Sequence, residues 1–372
     1  MSKILETTAE AGASLEPPIW WDTNGLTLMC ATDAGYVLPL AASLSSVVAN
    51  RRKESEEGES KRPLLDDCGS AATIQLVLLD GGITEPQWER FSRMLAEWGI
   101  ATIRVIASPA AVSHLSVSHH ISHTAYFRLL SSTWLPDWIS RVIYLDCDTL
   151  VVEDVGDLWD LTSQGEKEVW AVPDIACPFI DARVGCGDYK SIGPYLAAVT
   201  PVANYGELGI PADQWYFNSG VMVLDLQRWR EADRSTCLLR CLQENPKHVW
   251  CWDQYALNVV FHDTWGKLPL RWNFGSHVYD YPQGSDGLYR APLLPEQFSE
   301  MQRNPAVIHF TTEIKPWHYY CFHPEKDLYF EYLDRTPWVG QRPDRPGFST
   351  WWHVQTFKFQ KRLLATGRRM GL

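Results

Sequence analysis

"VIYLDCDTLVVEDVGDLW", from Val142 to Trp159, decides how this chain is read. A short apolar run ends on Asp146, Asp148 follows one residue later, and a second apolar run, "TLVV", stands behind them. The first run has the length and branched-residue content of a buried strand. Carboxylates at the end of such a strand lose hydration and repel each other, and a hard divalent cation between them offsets both penalties. A chain of this composition contains about one Asp-x-Asp triplet by chance, so the spacing alone leaves a solvated loop or a helix cap open.

The surrounding segments place this strand. Upstream, "LTLMCATD" (26–33) reads as a strand, and Leu40, Leu44, Val47 and Val48 recur at helical spacing after it. "IQLVLLD", "ATIRVIA" and "RVIYLD" read as strands, while "EPQWERFSRMLAEWG" and "SHTAYFRLLSSTWLP" read as helices ended by Gly99 and Pro136. Further on, "VWAVPD", "SGVMVLDL" and "AVIHF" are strand candidates, and "RWREADRSTCLLRCLQEN" and "WDQYALNVVFH" are helical. This alternation predicts an α/β fold: a Rossmann-like, mostly parallel sheet with helices on both faces. Ligands gather beyond the carboxyl ends of strands in such sheets, and Asp33, Asp146 and Asp148 all fall at that edge. Residues 1–20 read as an N-terminal tail, 21–335 as the catalytic domain with a charged surface insertion at 51–71, and 336–372 as a C-terminal extension.

Composition narrows the partners. The formal charge of -12 argues against nucleic acid, whose backbone calls for a basic groove. Eighteen tryptophans supply broad faces that pack in cores and also stack on sugar rings. Nine scattered cysteines, without a zinc spacing, together with a start lacking an apolar leader, predict a cytoplasmic protein whose cysteines, Cys147 included, fill the core.

Five segments then occur in a telling order: "CATDAGYVLPLAASLSSVVANR", "HHISHTAYFRLLSSTWLPDWISRVIYLDCDTLVVEDVGDLWDL", "WYFNSGVMVLDLQRWR", "CWDQYALNVVF" and "VIHFTTEIKPWH". Together they resemble the retaining glycosyltransferases of family 8, the group that includes glycogenin and bacterial lipopolysaccharide galactosyl- and glucosyltransferases. The resemblance implies a GT-A fold that binds a UDP-hexose, with glucose or galactose as the sugar, through Mn²⁺ or Mg²⁺. It implies Asp146, Asp148 and His309 as metal ligands, the nitrogen suiting Mn²⁺ better. Lys315 would approach the diphosphate, where a flexible point charge neutralises the leaving group. Asp33 and Tyr36 fall at the uridine, and Thr32 and Cys147 among the donor-binding positions. Arg128 would secure donor and carboxylates, Asn218 and Ser219 would touch the donor sugar, Asp253 would bind its hydroxyls, and Gln254 would lie near the anomeric carbon. His309, Lys315, Tyr36, Arg128 and Asp253 also have plainer readings: a strand-end histidine bonded for structure, a solvated lysine before Pro316, a packing tyrosine, a helix-surface arginine and an acid at a helix start.

Two places depart from the family pattern. No glycine stands between His309 and "KPW", where this chain has Thr311-Thr312-Glu313-Ile314, and the first loop, Asp33-Ala34-Gly35-Tyr36, lacks the asparagine or aspartate often found before the tyrosine. The implied reaction is hexose transfer with retention to a glycan, glycolipid or protein acceptor. A glycogenin-like self-glucosylating protein, a sugar-nucleotide nucleotidyltransferase and a non-catalytic carbohydrate-binding protein are the other readings. The nucleotidyltransferase should show an early glycine-rich phosphate loop, which "CATDAGYVLP" is not. Residues 346–372 carry five bases, no acid and interleaved aromatics, a pattern for an anionic membrane surface or for a helix packed on the acidic body. Interfacial binding would place the enzyme on the inner face of the membrane, near acceptors such as a lipopolysaccharide core.

Overall fold

A computed structural model describes residues 3–12, 14–52, 74–115, 122–163, 165–291 and 293–344. Most of the 51–71 insertion and all of the basic tail, with its expected membrane contact, lie outside the described residues.

The main sheet is built from β1 (Ile4–Thr8), β2 (Thr27–Thr32), β3 (Gln75–Asp80), β4 (Ala101–Ile106), β5 (Arg141–Leu145), β7 (Val169–Pro173), β8 (Phe217–Asp225) and β9 (Gly266–Lys267). Its order is β1-β4-β3-β2-β5-β8-β7-β9. The β1 to β5 half is parallel throughout, whereas β8 runs antiparallel to both β5 and β7. Side chains alternate between two cores: Leu28, Cys30, Leu76 and Leu78 enter one, and Met29, Val77 and Leu79 the other. A strand buried on both faces must read as a continuous apolar run, which is why these strands were legible. Residues 4–8, within the stretch read as a tail, form the edge strand, tied in by Glu6, which pairs with Arg104 at 2.8 Å.

A second sheet of three strands, in the order β10-β11-β6, joins β6 (Thr149–Val151), β10 (Phe274–Gly275) and β11 (Val307–His309). The helix Val37–Asn50 docks on β6 through polar atoms. The Val151 N–H donates to Ser46 Oγ at 2.8 Å, Asn50 Nδ2 donates to the Val151 carbonyl at 3.0 Å, and Ser43 and Thr149 hydroxyls lie 3.2 Å apart.

Two expected helices differ. His123–Leu130 is a 3₁₀ helix, continued by a single α turn at Ser131–Trp134. Its residues from Tyr126 to Leu130 are buried, so it does not present the one-sided stripe of a surface α-helix. The stretch 228–245 divides into Leu226–Glu231 and Arg234–Glu244, because Asp233 adopts φ 48°, a left-handed conformation that short polar side chains tolerate.

Candidate active site

Asp146-Cys147-Asp148 is the joint between the two sheets. It leaves the main sheet at Leu145 and enters the small one at Thr149. The Asp146 N–H donates to the Gly220 carbonyl at 2.8 Å, and the Asp148 carbonyl accepts from Phe310 N at 3.0 Å. Both aspartates are thus fixed by backbone pairing rather than carried on a solvated loop. His309 closes β11 and brings Nε2 to 3.3 Å from Asp148 Oδ1 and 3.7 Å from Asp146 Oδ2.

These residues fit a divalent metal. One ligand atom from each of Asp146, Asp148 and His309 lies within 4.8 Å of the others. His309 Nδ1 lies 2.9 Å from Asn273 Oδ1, and Asn273 Nδ2 donates to Asn218 Oδ1 at 2.9 Å, so the network assigns the imidazole proton to Nδ1. The Nε2 lone pair then faces two carboxylates, a cluster of acceptors that a cation satisfies. The approach is possible only beside a glycine. A Cβ on Gly220 would stand 2.2 Å from His309 Cε1 and 2.7 Å from Asp146 Oδ2.

Two cations brace the acids. Arg128 is buried, donates to Asp146 Oδ1 at 2.7 Å and to the Ser219 carbonyl at 2.8 Å, stacks on Tyr144, and reaches Asp253 Oδ2 at 3.4 Å. Lys315 Nζ donates to Asp148 Oδ2 at 2.6 Å and to the Phe310 carbonyl at 2.5 Å. Burial works to raise the Asp148 carboxyl, but the Lys315 ammonium outweighs it and holds the group below the ordinary carboxylate range. Asp253 goes the other way: burial lifts it against the pull of Arg128, with the Asp146 charge adding to the rise.

All the site residues expected from the sequence line one cleft of about 600 Å³. Asp33 accepts from Gly35 N at 2.9 Å and from Thr124 Oγ1 at 3.2 Å, and Tyr36 meets Trp317 edge-on at 5.7 Å. Thr32 is buried, and Cys147 turns its thiol back to the Ala31 carbonyl at 3.2 Å, a core filler at the cleft floor. A register shift in the β7–β8 pairing, where Val172 meets Asn218 although Ala171 meets Met222, frees Ser219 and Gly220 toward the site. Gln254 Oε1 accepts from Ser219 N at 3.0 Å, and Ser219 Oγ lies 3.1 Å from Asp253 Oδ2. Thr311, in the glycine-free loop, keeps its hydroxyl on Ser276 N at 3.1 Å, while Glu313 lines the cleft.

Several residues here were not singled out from the sequence. Asp174 ends β7 as Asp33 ends β2, the same acid-after-strand signal. Trp252, next to Asp253, lines the cleft with φ 44°, a rare conformation for a bulky side chain. Asn273 carried no local signal, since only the distant pairing of β10 with β11 brings it to His309.

Comparison with known proteins matches this arrangement. The profile of glycosyl transferase family 8 covers residues 27–321. General stress protein A of Bacillus subtilis (strain 168) is 29% identical over 278 residues, covering 74% of this chain and 87% of that protein. Lipopolysaccharide 1,2-glucosyltransferase of Escherichia coli (strain K12) is 26% identical over 223 residues, 60% of this chain and 57% of that one. The crystal structure of the galactosyltransferase LgtC, solved with donor and acceptor sugar analogues, superposes with a TM-score of 0.62 at 23% identity, over 84% of this chain and 96% of that one. The sheet is therefore that of a GT-A fold. With its profile match spanning every residue of the cleft described above, the chain belongs to glycosyltransferase family 8.

Proposed function

We propose that this glycosyltransferase moves a hexose from a UDP-sugar to an acceptor hydroxyl with retention of anomeric configuration. The observation that carries the reading is the convergence of Asp146, Asp148 and His309 in the cleft that also holds Lys315, Asp253 and Gln254. Asp146, Asp148 and His309 would hold Mn²⁺, or Mg²⁺, which when bound supplies Lewis-acid stabilisation of the diphosphate. Lys315 adds a point charge where the leaving group gains charge. Asp33 and Tyr36 face the uridine.

Gln254 has both ends of its amide engaged, at Ser219 N and at Asp174 Oδ2, and an amide is a poor nucleophile. Asp253, the alternative nucleophile, is held by Ser219 and Arg128, which suits a binder of sugar hydroxyls. We therefore favour attack from the face of departure. The bond from the anomeric carbon to the phosphate oxygen breaks as the bond to the acceptor oxygen forms. The acceptor proton passes to the departing phosphate, and Gln254 supports the positive carbon as a fixed dipole.

A hydrolysis screen of UDP-sugars with Mn²⁺ and no acceptor tests this, because slow hydrolysis reports the donor alone. UDP-glucose or UDP-galactose should be turned over, and full activity in EDTA would sink the metal-assisted reading. Mass spectrometry after incubation with UDP-glucose separates the self-glucosylating variant, whose signature is a ladder of hexose additions.

A further inference from the structure

We propose that Asp174 is the positioning residue of this site: one buried carboxylate that orients the Gln254 amide and, through Asn218 and Asn273, the metal-facing histidine. The proposal rests on the function above for what the network serves.

An amide group offers an accepting oxygen and a donating nitrogen of nearly the same shape, so its orientation is free until its neighbours dictate it. An ionised carboxylate only accepts. Asp174 is buried directly after β7, and its Oδ1 takes the Ala176 N–H at 2.8 Å. Its Oδ2 takes two donors at once, Gln254 Nε2 at 3.0 Å and Asn218 Nδ2 at 3.1 Å. Both amides must therefore turn their nitrogens to Asp174 and their oxygens away. At the far ends the backbone agrees, since Ser219 N meets Gln254 Oε1 at 3.0 Å and Gly220 N meets Asn218 Oδ1 at 2.9 Å.

Two branches leave this point. One fixes Gln254 in the cleft. In the other, Asn218 Oδ1 also accepts from Asn273 Nδ2 at 2.9 Å, which turns Asn273 Oδ1 toward His309 Nδ1 at 2.9 Å and leaves Nε2 for the cation. Asp174 thus reaches His309 through two intervening amides. Nothing on this path can be reversed singly, because each reversal sets donor against donor or acceptor against acceptor. Substituting Asp174 by Asn keeps the shape but forces one such conflict, either at Ala176 N or at the two amides.

The test measures Mn²⁺ binding in the presence of UDP, by the electron paramagnetic resonance signal of free Mn²⁺, beside kcat and KM for UDP-sugar hydrolysis. Asp174→Asn should lower kcat and weaken Mn²⁺ binding, each by about 10–100-fold, the range for lost outer contacts of a metal site. Asn273→Ala should weaken Mn²⁺ binding by a similar factor but lower kcat at saturating Mn²⁺ less than Asp174→Asn does, because the Gln254 branch stays intact. Combining the two should weaken Mn²⁺ binding little beyond Asp174→Asn alone, although the residues are joined only through Asn218. Should Asp174→Asn fail to fold, Asp174→Ser, which keeps a short accepting oxygen, carries the same expectation. Wild-type values in the Asp174 variant, or full additivity with Asn273→Ala, would overturn the proposal alone. A wild type that binds no Mn²⁺ with UDP would overturn the function as well.

Discussion

Lys315 and Asp148 form the most consequential pair in the cleft, a 2.6 Å contact between a cation and an acid whose other oxygen faces His309. Replacing Asp148 by Asn keeps the shape and removes the charge. Transfer should fall by about 100-fold or more, the scale of an electrostatic contact of roughly 3 kcal/mol, while circular dichroism shows an intact fold. Near-wild-type turnover would remove Asp148 from the metal set. Lys315→Met should depress kcat more than it raises KM for the donor, because the lysine charge matters most as the diphosphate departs. A raised KM with unchanged kcat, read from initial rates, would reduce the lysine to a binding role. At this scale the sequence revealed residues that announce themselves by charge at strand ends, such as Asp146, Asp148 and Asp33. Asn273 was illegible because an amide in a loop has no pattern of its own, and its partners come from distant segments.

The elements divide along the same line. β2, β3 and β5 were legible because burial on both faces leaves an unbroken apolar run. The edge strand Ile4–Thr8 was not, since "ILETT" is short, partly exposed and half polar. The 3₁₀ segment reads simply as a helix in the sequence because apolar spacing does not distinguish three residues per turn from 3.6 in a stretch so largely buried. In the helix Val37–Asn50, Ser46 is buried and accepts the Val151 N–H. Ser46→Ala should strand that donor at a cost of about 1–3 kcal/mol. Because β6 carries the exit from Asp148, the variant should also bind Mn²⁺ with UDP more weakly, without any change among the ligands. Urea unfolding and Mn²⁺ titration check the two effects; a stability loss alone would show that β6 is held by its strand pairing.

At the scale of the whole molecule, His323 links stability to acidity. His323 packs edge-on against Phe310 and Tyr279, its Nε2 is buried with no hydrogen-bond partner among the described residues, and burial pushes its imidazole down to about 4. The unfolded chain, with an ordinary histidine near 6.5, binds the proton more readily. Its contribution is therefore full above about pH 6.5 and lost as pH falls toward 4, on the order of 3 kcal/mol in all. Urea midpoints across that window should fall less steeply in His323→Gln than in wild type, and parallel slopes would refute the assignment. The joint at residues 146–148 has a consequence of a different kind. Asp146 and Asp148 lie where the large sheet passes into the small one, and His309 belongs to a strand contributed from far along the chain. An ion gripped by all three is a removable cross-link, acting on the chain as a staple that the solution can insert or withdraw. Mn²⁺ at 100 times its dissociation constant should add about 2.7 kcal/mol to the unfolding free energy of the UDP-loaded enzyme. Amide exchange should slow first in β6 and β11, so that the enzyme is most tightly sewn together at the moment it holds its donor.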